Sequence, residues 1–381
     1  MQIIKLDLIQ TLGVALGVLL AGYALQKRIA PLKRWFIPAP LIGGALYALL
    51  AFVLRALGAV DIQLDTTLQP YFFAGFFASI GLRASRKLLA EGLPKLALFG
   101  VVVFLLAALQ KAIGLGVGAL LGIERPAITA ATAVLMGNVA GAGKIVPVLA
   151  EQGLANGAAI SAGAAAFGLL FGALLGGPLL AILIRRNGIK FPENQAAPAP
   201  LTPPNLIAHT FLYALCIGLG KLLSVATGGT WMPMFAGALI VGAALRNIAD
   251  ARPLFKLELP YVNTLGNFSL SCTLTMAFMG LKIPALAALD LPLLALLLVQ
   301  LALPVLVAMF VVYPLMGRSP LAAMIAAGLP GFSVGVPADT MSTLQCAQEV
   351  NGAMPMATFV VPVIGAWLVT LVNPWLTGLF M

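Results

Sequence analysis

The chain has 381 residues, of which 61% are hydrophobic and only 9% charged, with a formal net charge of +10. A soluble domain carries roughly 45–50% apolar and about 25% charged residues, so a water-exposed surface cannot be built from this composition and the solvent is a bilayer. One histidine, three scattered cysteines and twelve acids leave no zinc-ligand spacing and no Ser/His or paired-Asp constellation, which excludes the common enzyme sites; the lysines and arginines punctuate apolar runs rather than forming a nucleic-acid-binding face.

Apolar stretches of about 20 residues fall near 6–25, 37–54, 69–82, 96–121 and 157–184, and again near 206–227, 232–245, 261–281, 291–316 and 355–380. Two further stretches, 127–149 and 321–344, could each cross the membrane or dip in and return. Positive charge decides between them, because Lys and Arg gather in cytoplasmic loops. Lys111, Lys144 and Lys221 lie inside apolar segments; of the remaining Lys and Arg, fifteen share one face against four if both stretches are re-entrant, but nine face ten if both cross. The expected fold is therefore an all-α integral membrane protein with ten transmembrane helices and two re-entrant hairpins. Both termini then lie outside.

The organisation follows: an N-terminal repeat over 1–186, a Pro-rich cytoplasmic linker over 187–205 (containing FPENQAAPAPLTPPN) and a C-terminal repeat over 206–381. Five spans and a hairpin per half reverse the second half, so the repeats have inverted topology. The sequence carries internal matches. PAITAATAVLMGNVAG starts at Pro126 and PLAAMIAAGLPGFSVG at Pro320, aligning Gly137 with Gly331 and Gly141 with Gly335; ASIGLR (78–83) pairs with AFMGLK (277–282), and AEQGLANGA (150–158) with AQEVNGA (347–353).

Unwound backbone inside hydrocarbon survives only where protein, water or a ligand satisfies it, which makes the two tips the expected binding site. Half-helix N-termini offer N–H groups to an anion and half-helix C-termini offer carbonyls to a cation. The substrate-binding candidates are Gly137, Asn138, Gly141, Gly143 and Lys144 in the first tip, and Gly331, Ser333, Gly335, Asp339 and Thr340 in the second. Sodium takes hard oxygen ligands, for which Ser79, Asn138, Ser271, Thr275 and Ser333 are the candidates. Lys111 and Lys221 are expected near the outer interface, and His209 as a solvated or capping residue at a cytoplasmic helix start.

FIPAPLIGG (36–44), FFASIGLRAS (76–85), AFGLLFGALLGGP (166–178), LTMAFMGLK (274–282) and FVVPVIGAW (359–367) resemble, in order and spacing, segments of the bacterial sodium:glutamate symporter family. The resemblance spans essentially the whole chain. It implies sodium-coupled, elevator-like symport of glutamate or a related acidic amino acid through the inner membrane by a homodimer, with Na+ as coupling ion, no cofactor and no enzymatic activity. The tips depart from the family pattern: GNVAGAG (137–143) stands where the family reads GGHGTG, and GLPGFSVGVPADT (328–340) where it reads GHCGFGLGATP. A sodium- or proton-coupled carrier of another carboxylate, or an ion channel, remains the alternative.

Overall fold

The computed structural model describes residues 2–136, 138–151, 153–191, 201–229, 232–252, 255–352 and 354–380, with the side chains of 138–144 left aside. The central part of the expected linker, 192–200, therefore lies outside the described residues.

In the first half, α1 (Leu8–Arg28) is followed by the short α2 (Ala30–Arg34), then α3 (Ala39–Ala56), α4 (Gln69–Arg83), α5 (Arg86–Leu120), α6 (Arg125–Leu135), α7 (Asn138–Glu151) and α8 (Gly157–Asn187). The second half runs α9 (Pro203–Ala226), α10 (Met234–Ala251), α11 (Leu259–Met279), a 3-10 segment (Ile283–Ala288) and α12 (Leu291–Val307), which passes through a π-helical turn into α13 (Tyr313–Leu315). It ends with α14 (Pro320–Ser333), α15 (Pro337–Asn351), and α16 (Pro355–Trp367) leading through a second π-helical turn into α17 (Asn373–Phe380). Among the described residues the strands form a two-stranded parallel ladder, β1 (Gln2–Lys5) on β2 (Val60–Gln63), which ties the start of α1 to the end of α3.

Local signals explain the boundaries. Asp7 caps α1 by accepting from the Gln10 N–H at 2.8 Å, and Ser85, Asp290 and Ser319 cap α5, α12 and α14 in the same way. Pro203 and Pro204, grouped with the linker on sequence grounds, open α9; proline's fixed φ suits a helix's first turn, where its missing N–H costs nothing.

Among the described residues, eight helices are long and apolar enough to cross a membrane, against the ten spans expected. The two that differ are α4 and α11, which are present but do not meet the measure: α4 has 15 residues, and α11 carries Asn263, Thr264, Asn267, Ser269, Ser271, Thr273 and Thr275. These helices pack against each other and against neighbours from both halves. α4 is buried throughout 74–82, whereas α11 is buried over 269–276 and exposes Asn263, Thr264 and Asn267 in its first half.

The packing partners come in matching sets. α1 packs on α3 as α9 packs on α10; α11 lies against α3 and α1 as α4 lies against α10 and α9; α5 meets α6 and α16 as α12 meets α14 and α8. The short helices α6, α7, α14 and α15 run to only about 16–23 Å at 1.5 Å per residue, less than the ~30 Å hydrocarbon core. α8 seats α14 closely through a glycine every fourth residue: a Cβ on Gly172 would lie 2.9 Å from the Gly331 carbonyl and one on Gly176 2.8 Å from the Ala327 carbonyl, while one on Gly168 would strike the Val334 carbonyl. Any side chain in that row would push the two helices apart.

Candidate functional site

The turn between α14 and α15 is built by its sequence. Pro337 opens α15 and holds Val336 extended (φ −114°, ψ 153°). The two helices then fold back on each other, with the Thr340 hydroxyl donating to the Gly328 carbonyl at 2.8 Å. Gly331 permits this approach, since a Cβ there would sit 2.8 Å from the Thr340 backbone N. Gly335 is equally confined, its Cβ position being 2.5 Å from Asp339 Oδ2 and 2.7 Å from the Gly331 carbonyl.

Asp339 is fully buried. Its Oδ2 accepts from the Val336 N–H at 3.1 Å, capping α15, while its Oδ1 has no partner among the described residues. Ser333 and Thr343, also fully buried, carry unpartnered hydroxyls. Orphaned polar atoms in a protein interior are costly. Three such atoms, Asp339 Oδ1, Ser333 Oγ and Thr343 Oγ1, fall on α14, α15 and the turn between them.

The opposing wall comes from α5 and α12. Gln300 Nε2 donates to the Gln110 carbonyl at 2.9 Å, and Gln110 Nε2 donates long bonds to the carbonyls of Gln300 (3.4 Å) and Ser333 (3.5 Å). Gln110 Oε1 has no partner. Like Ser333 Oγ and Asp339 Oδ1, it is a hard oxygen left without a partner among the described residues, and among those residues no group of three His, Cys, Asp or Glu could hold a metal.

The α6–α7 break has its own support. Asn373 at the start of α17 donates to the carbonyls of Ala133 (2.9 Å) and Met136 (2.7 Å), satisfying groups that α6 leaves open at its C-terminal end. Of the candidates here, Gly137 lies outside the described residues. Asn138, Gly141, Gly143 and Lys144 fall in α7, but their side chains also lie outside the described residues.

Thus Gly331, Ser333, Gly335, Asp339 and Thr340 stand at one turn, whereas the remaining sodium candidates stand elsewhere. Ser79 in α4 donates to the Phe76 carbonyl (2.7 Å) and Thr275 in α11 to the Ser271 carbonyl (2.8 Å), each within its own helix. Ser271 lines a cleft of about 270 Å³ between α1, α11 and α15, with Tyr23, Gln26, Ser342, Gln345 and Glu349.

Gln110, Gln300 and Asn373 are absent from the sequence-based candidates, although a lone amide in a long apolar run was a readable signal. Of the two alternatives expected for His209, solvated or capping, the structure shows the second. His209 is buried rather than solvated, accepting at Nε2 from the Glu258 N–H (2.9 Å) and facing the Asn205 carbonyl through Nδ1 (2.7 Å), so it caps the start of α11 in its neutral Nδ1–H tautomer. Lys111 is 4% exposed, whereas Lys221 is exposed and donates to the Tyr71 hydroxyl at 2.8 Å.

A family model described as sodium/glutamate symporter matches residues 4–353. The chain belongs to this family. It is 34% identical over 393 residues to the sodium/glutamate symporter of Escherichia coli (strain K12), with 99% of this chain and 98% of that protein covered, and it matches the one from Shigella flexneri to the same extent. The sodium/glutamate symporter of Haemophilus influenzae (strain Rd) is 32% identical over 382 residues, covering 96% of this chain and 94% of that protein. Membership in the sodium/glutamate symporter family makes the chain a multi-pass membrane transporter rather than an enzyme, and gives the orphaned oxygens of the α14–α15 turn a context.

Proposed function

We propose that this protein is a secondary transporter that carries glutamate, or a closely related acidic amino acid, together with sodium across the bacterial inner membrane. The observation that carries the reading is the buried turn between α14 and α15, where Ser333 Oγ and Asp339 Oδ1 have no partner and Gln110 of the other half donates to the Ser333 carbonyl. In this reading Asp339 supplies the negative charge for sodium or for the substrate ammonium. The Ser333 hydroxyl and the Gln110 amide orient the substrate, and the first tip, Gly137 to Lys144, closes the site from the other side.

Ten spans in two inverted repeats, each with a re-entrant hairpin, provide the frame. Three features support it: the charge asymmetry of the loops, the matched packing sets of the two halves, and the four helices too short to cross hydrocarbon alone. The hairpins with α5, α8, α12, α16 and α17 move as a core against α1, α3, α4, α9, α10 and α11, elevator-fashion and in a homodimer with both termini outside. The polar cleft of about 270 Å³ at Tyr23, Ser271 and Glu349, where α15 meets α1 and α11, is the cytoplasmic access route in this scheme.

A second reading, a carrier of another carboxylate, draws on the first tip, GNVAGAG, which has no histidine. One experiment separates the two: uptake of labelled glutamate by proteoliposomes under a sodium gradient and under a proton gradient alone, with competing amino acids and dicarboxylates. Sodium-driven glutamate uptake supports the first reading. Sodium-dependent uptake of a competitor without glutamate supports the second, and ion currents without any substrate uptake overturn both. The frame is tested by single cysteines at Ser319 and Gly352, flanking α14–α15, in a cysteine-free background. A re-entrant hairpin labels both from the cytoplasmic face; labelling from opposite faces rejects it.

A further inference from the structure

Lys111 follows Gln110 on α5 but points into different surroundings. Its Nζ is buried, has no hydrogen-bond partner among the described residues, and takes part in none of the three ion pairs found among them, Arg55–Asp61, Arg246–Asp250 and Lys256–Glu258. It lines a narrow cleft between α5, α6 and α17, whose other walls are Leu115, Thr129, Thr132, Thr377 and Phe380. The cleft thus combines one lysine amine with three hydroxyls, and among the described residues no carboxylate lines it. A lysine stem can carry its head out to an interface, as Lys221 does, but Lys111 is enclosed.

A cation buried without a counter-charge is expensive, and the hydroxyls around it can turn. The Thr129 hydroxyl donates to the Arg125 carbonyl at 3.1 Å, and that of Thr377 makes only a 3.5 Å contact with Asn373 Oδ1. Hydroxyl and ammonium donors converging in an acid-free, partly apolar cleft select an anion. The cleft is also coupled to the site described above. Thr132 faces Gln300 across Gly114, whose Cβ position is 3.1 Å from Thr132 Cγ2 and 3.0 Å from Gln300 Nε2, and Thr377 lies one turn beyond Asn373, which holds the carbonyls at the end of α6.

We propose that this cleft is an anion subsite, in which Lys111 Nζ and the hydroxyls of Thr129, Thr132 and Thr377 hold one monovalent anionic group. The group is either a carboxylate of the transported substrate or a halide; the first source rests on the transport function proposed above, and the second does not.

The test uses the purified full-length protein in detergent, measuring sodium-dependent binding of labelled glutamate and the thermal-unfolding midpoint in gluconate buffers with increasing bromide. The variants are Lys111→Met, Lys111→Arg and Thr377→Val. If the group is a substrate carboxylate, Lys111→Met weakens glutamate binding roughly ten- to hundredfold, the range for losing a hydrogen bond to a charged group, and Lys111→Arg recovers most of it. If it is a halide, bromide raises the midpoint of the wild type and not of Lys111→Met, while glutamate affinity is unchanged. Thr377→Val moves the same readout in the same direction by a smaller factor, and decides the matter if Lys111→Met does not fold. A wild type that answers to neither ligand, or variants that answer as the wild type does, overturns the subsite. Failure to bind glutamate alone counts against the substrate reading and leaves the bromide measurement to decide the anion.

Discussion

Gln110 and Gln300, 190 positions apart, bind each other's backbone: the Gln300 amide donates to the Gln110 carbonyl at 2.9 Å and the Gln110 amide to the Gln300 carbonyl at 3.4 Å. Each sits in a long apolar helix and both are buried. Because each side chain serves the other helix, the pair should act as a unit. Single Gln110→Leu and Gln300→Leu variants are expected to lower uptake at least tenfold, and the double variant to lose little more. A double-mutant cycle on unfolding midpoints in detergent checks it, with an expected coupling of about 0.5–3 kcal/mol; additive losses would show that the two amides work separately.

Gly331 and Gly335 have no room for a Cβ, whereas a Cβ on Gly116 would meet nothing within 4 Å. Alanine at either confined position forces apart the α14–α15 turn, so uptake should collapse while expression persists. Gly116→Ala should transport normally and be stabilised by up to about 1 kcal/mol, the helix-propensity difference. Normal uptake by both tip variants would remove the turn from the binding site.

Asp339 divides its oxygens between a structural and a free role. Asp339→Asn keeps an acceptor for the Val336 N–H but removes the charge, so the protein should fold while its half-saturating sodium concentration rises severalfold. Asp339→Ala also loses the cap, costing about 0.5–2 kcal/mol of stability. Sodium titrations of uptake, read beside unfolding midpoints, separate the effects; an unchanged sodium response in Asp339→Asn would exclude the carboxylate from coupling.

Asn373 is the support of the first break. Asn373→Ala strips partners from the Ala133 and Met136 carbonyls, and an unsatisfied buried group costs about 1–3 kcal/mol. A lowered unfolding midpoint is expected, together with slower uptake, because the end of α6 is no longer held. Asn373→Asp leaves an acceptor where a donor is needed and should do no better than alanine.

The sequence by itself determined the solvent and the family. A chain with 9% charged residues can be covered only by lipid, and the apolar runs with basic knots mark where helices start and stop. The segments FFASIGLRAS, AFGLLFGALLGGP and FVVPVIGAW carry the sodium/glutamate symporter resemblance because they are where helices touch each other. In AFGLLFGALLGGP the glycines 168, 172 and 176 form the row that seats α14, so packing constrains them whatever the ligand. Sequence also placed the second tip within Gly328 to Thr340, and the helix does end there, between Ser333 and Pro337.

What only the tertiary structure decided is which polar atoms lack partners. Gln110 and Lys111 are adjacent on one helix and equally conspicuous in sequence, yet one meets Gln300 and the other an acid-free cleft. Ser79 and Thr275 read like sodium ligands, but their hydroxyls donate to their own helix backbones. α4 and α11 do not meet the measure expected of spans, α4 because it has 15 residues and α11 because its 21 include seven Asn, Ser and Thr. Composition reports a residue's average preference for water or oil; hydrogen bonding is directional and extends about 3 Å, so it is settled only when distant helices are brought together.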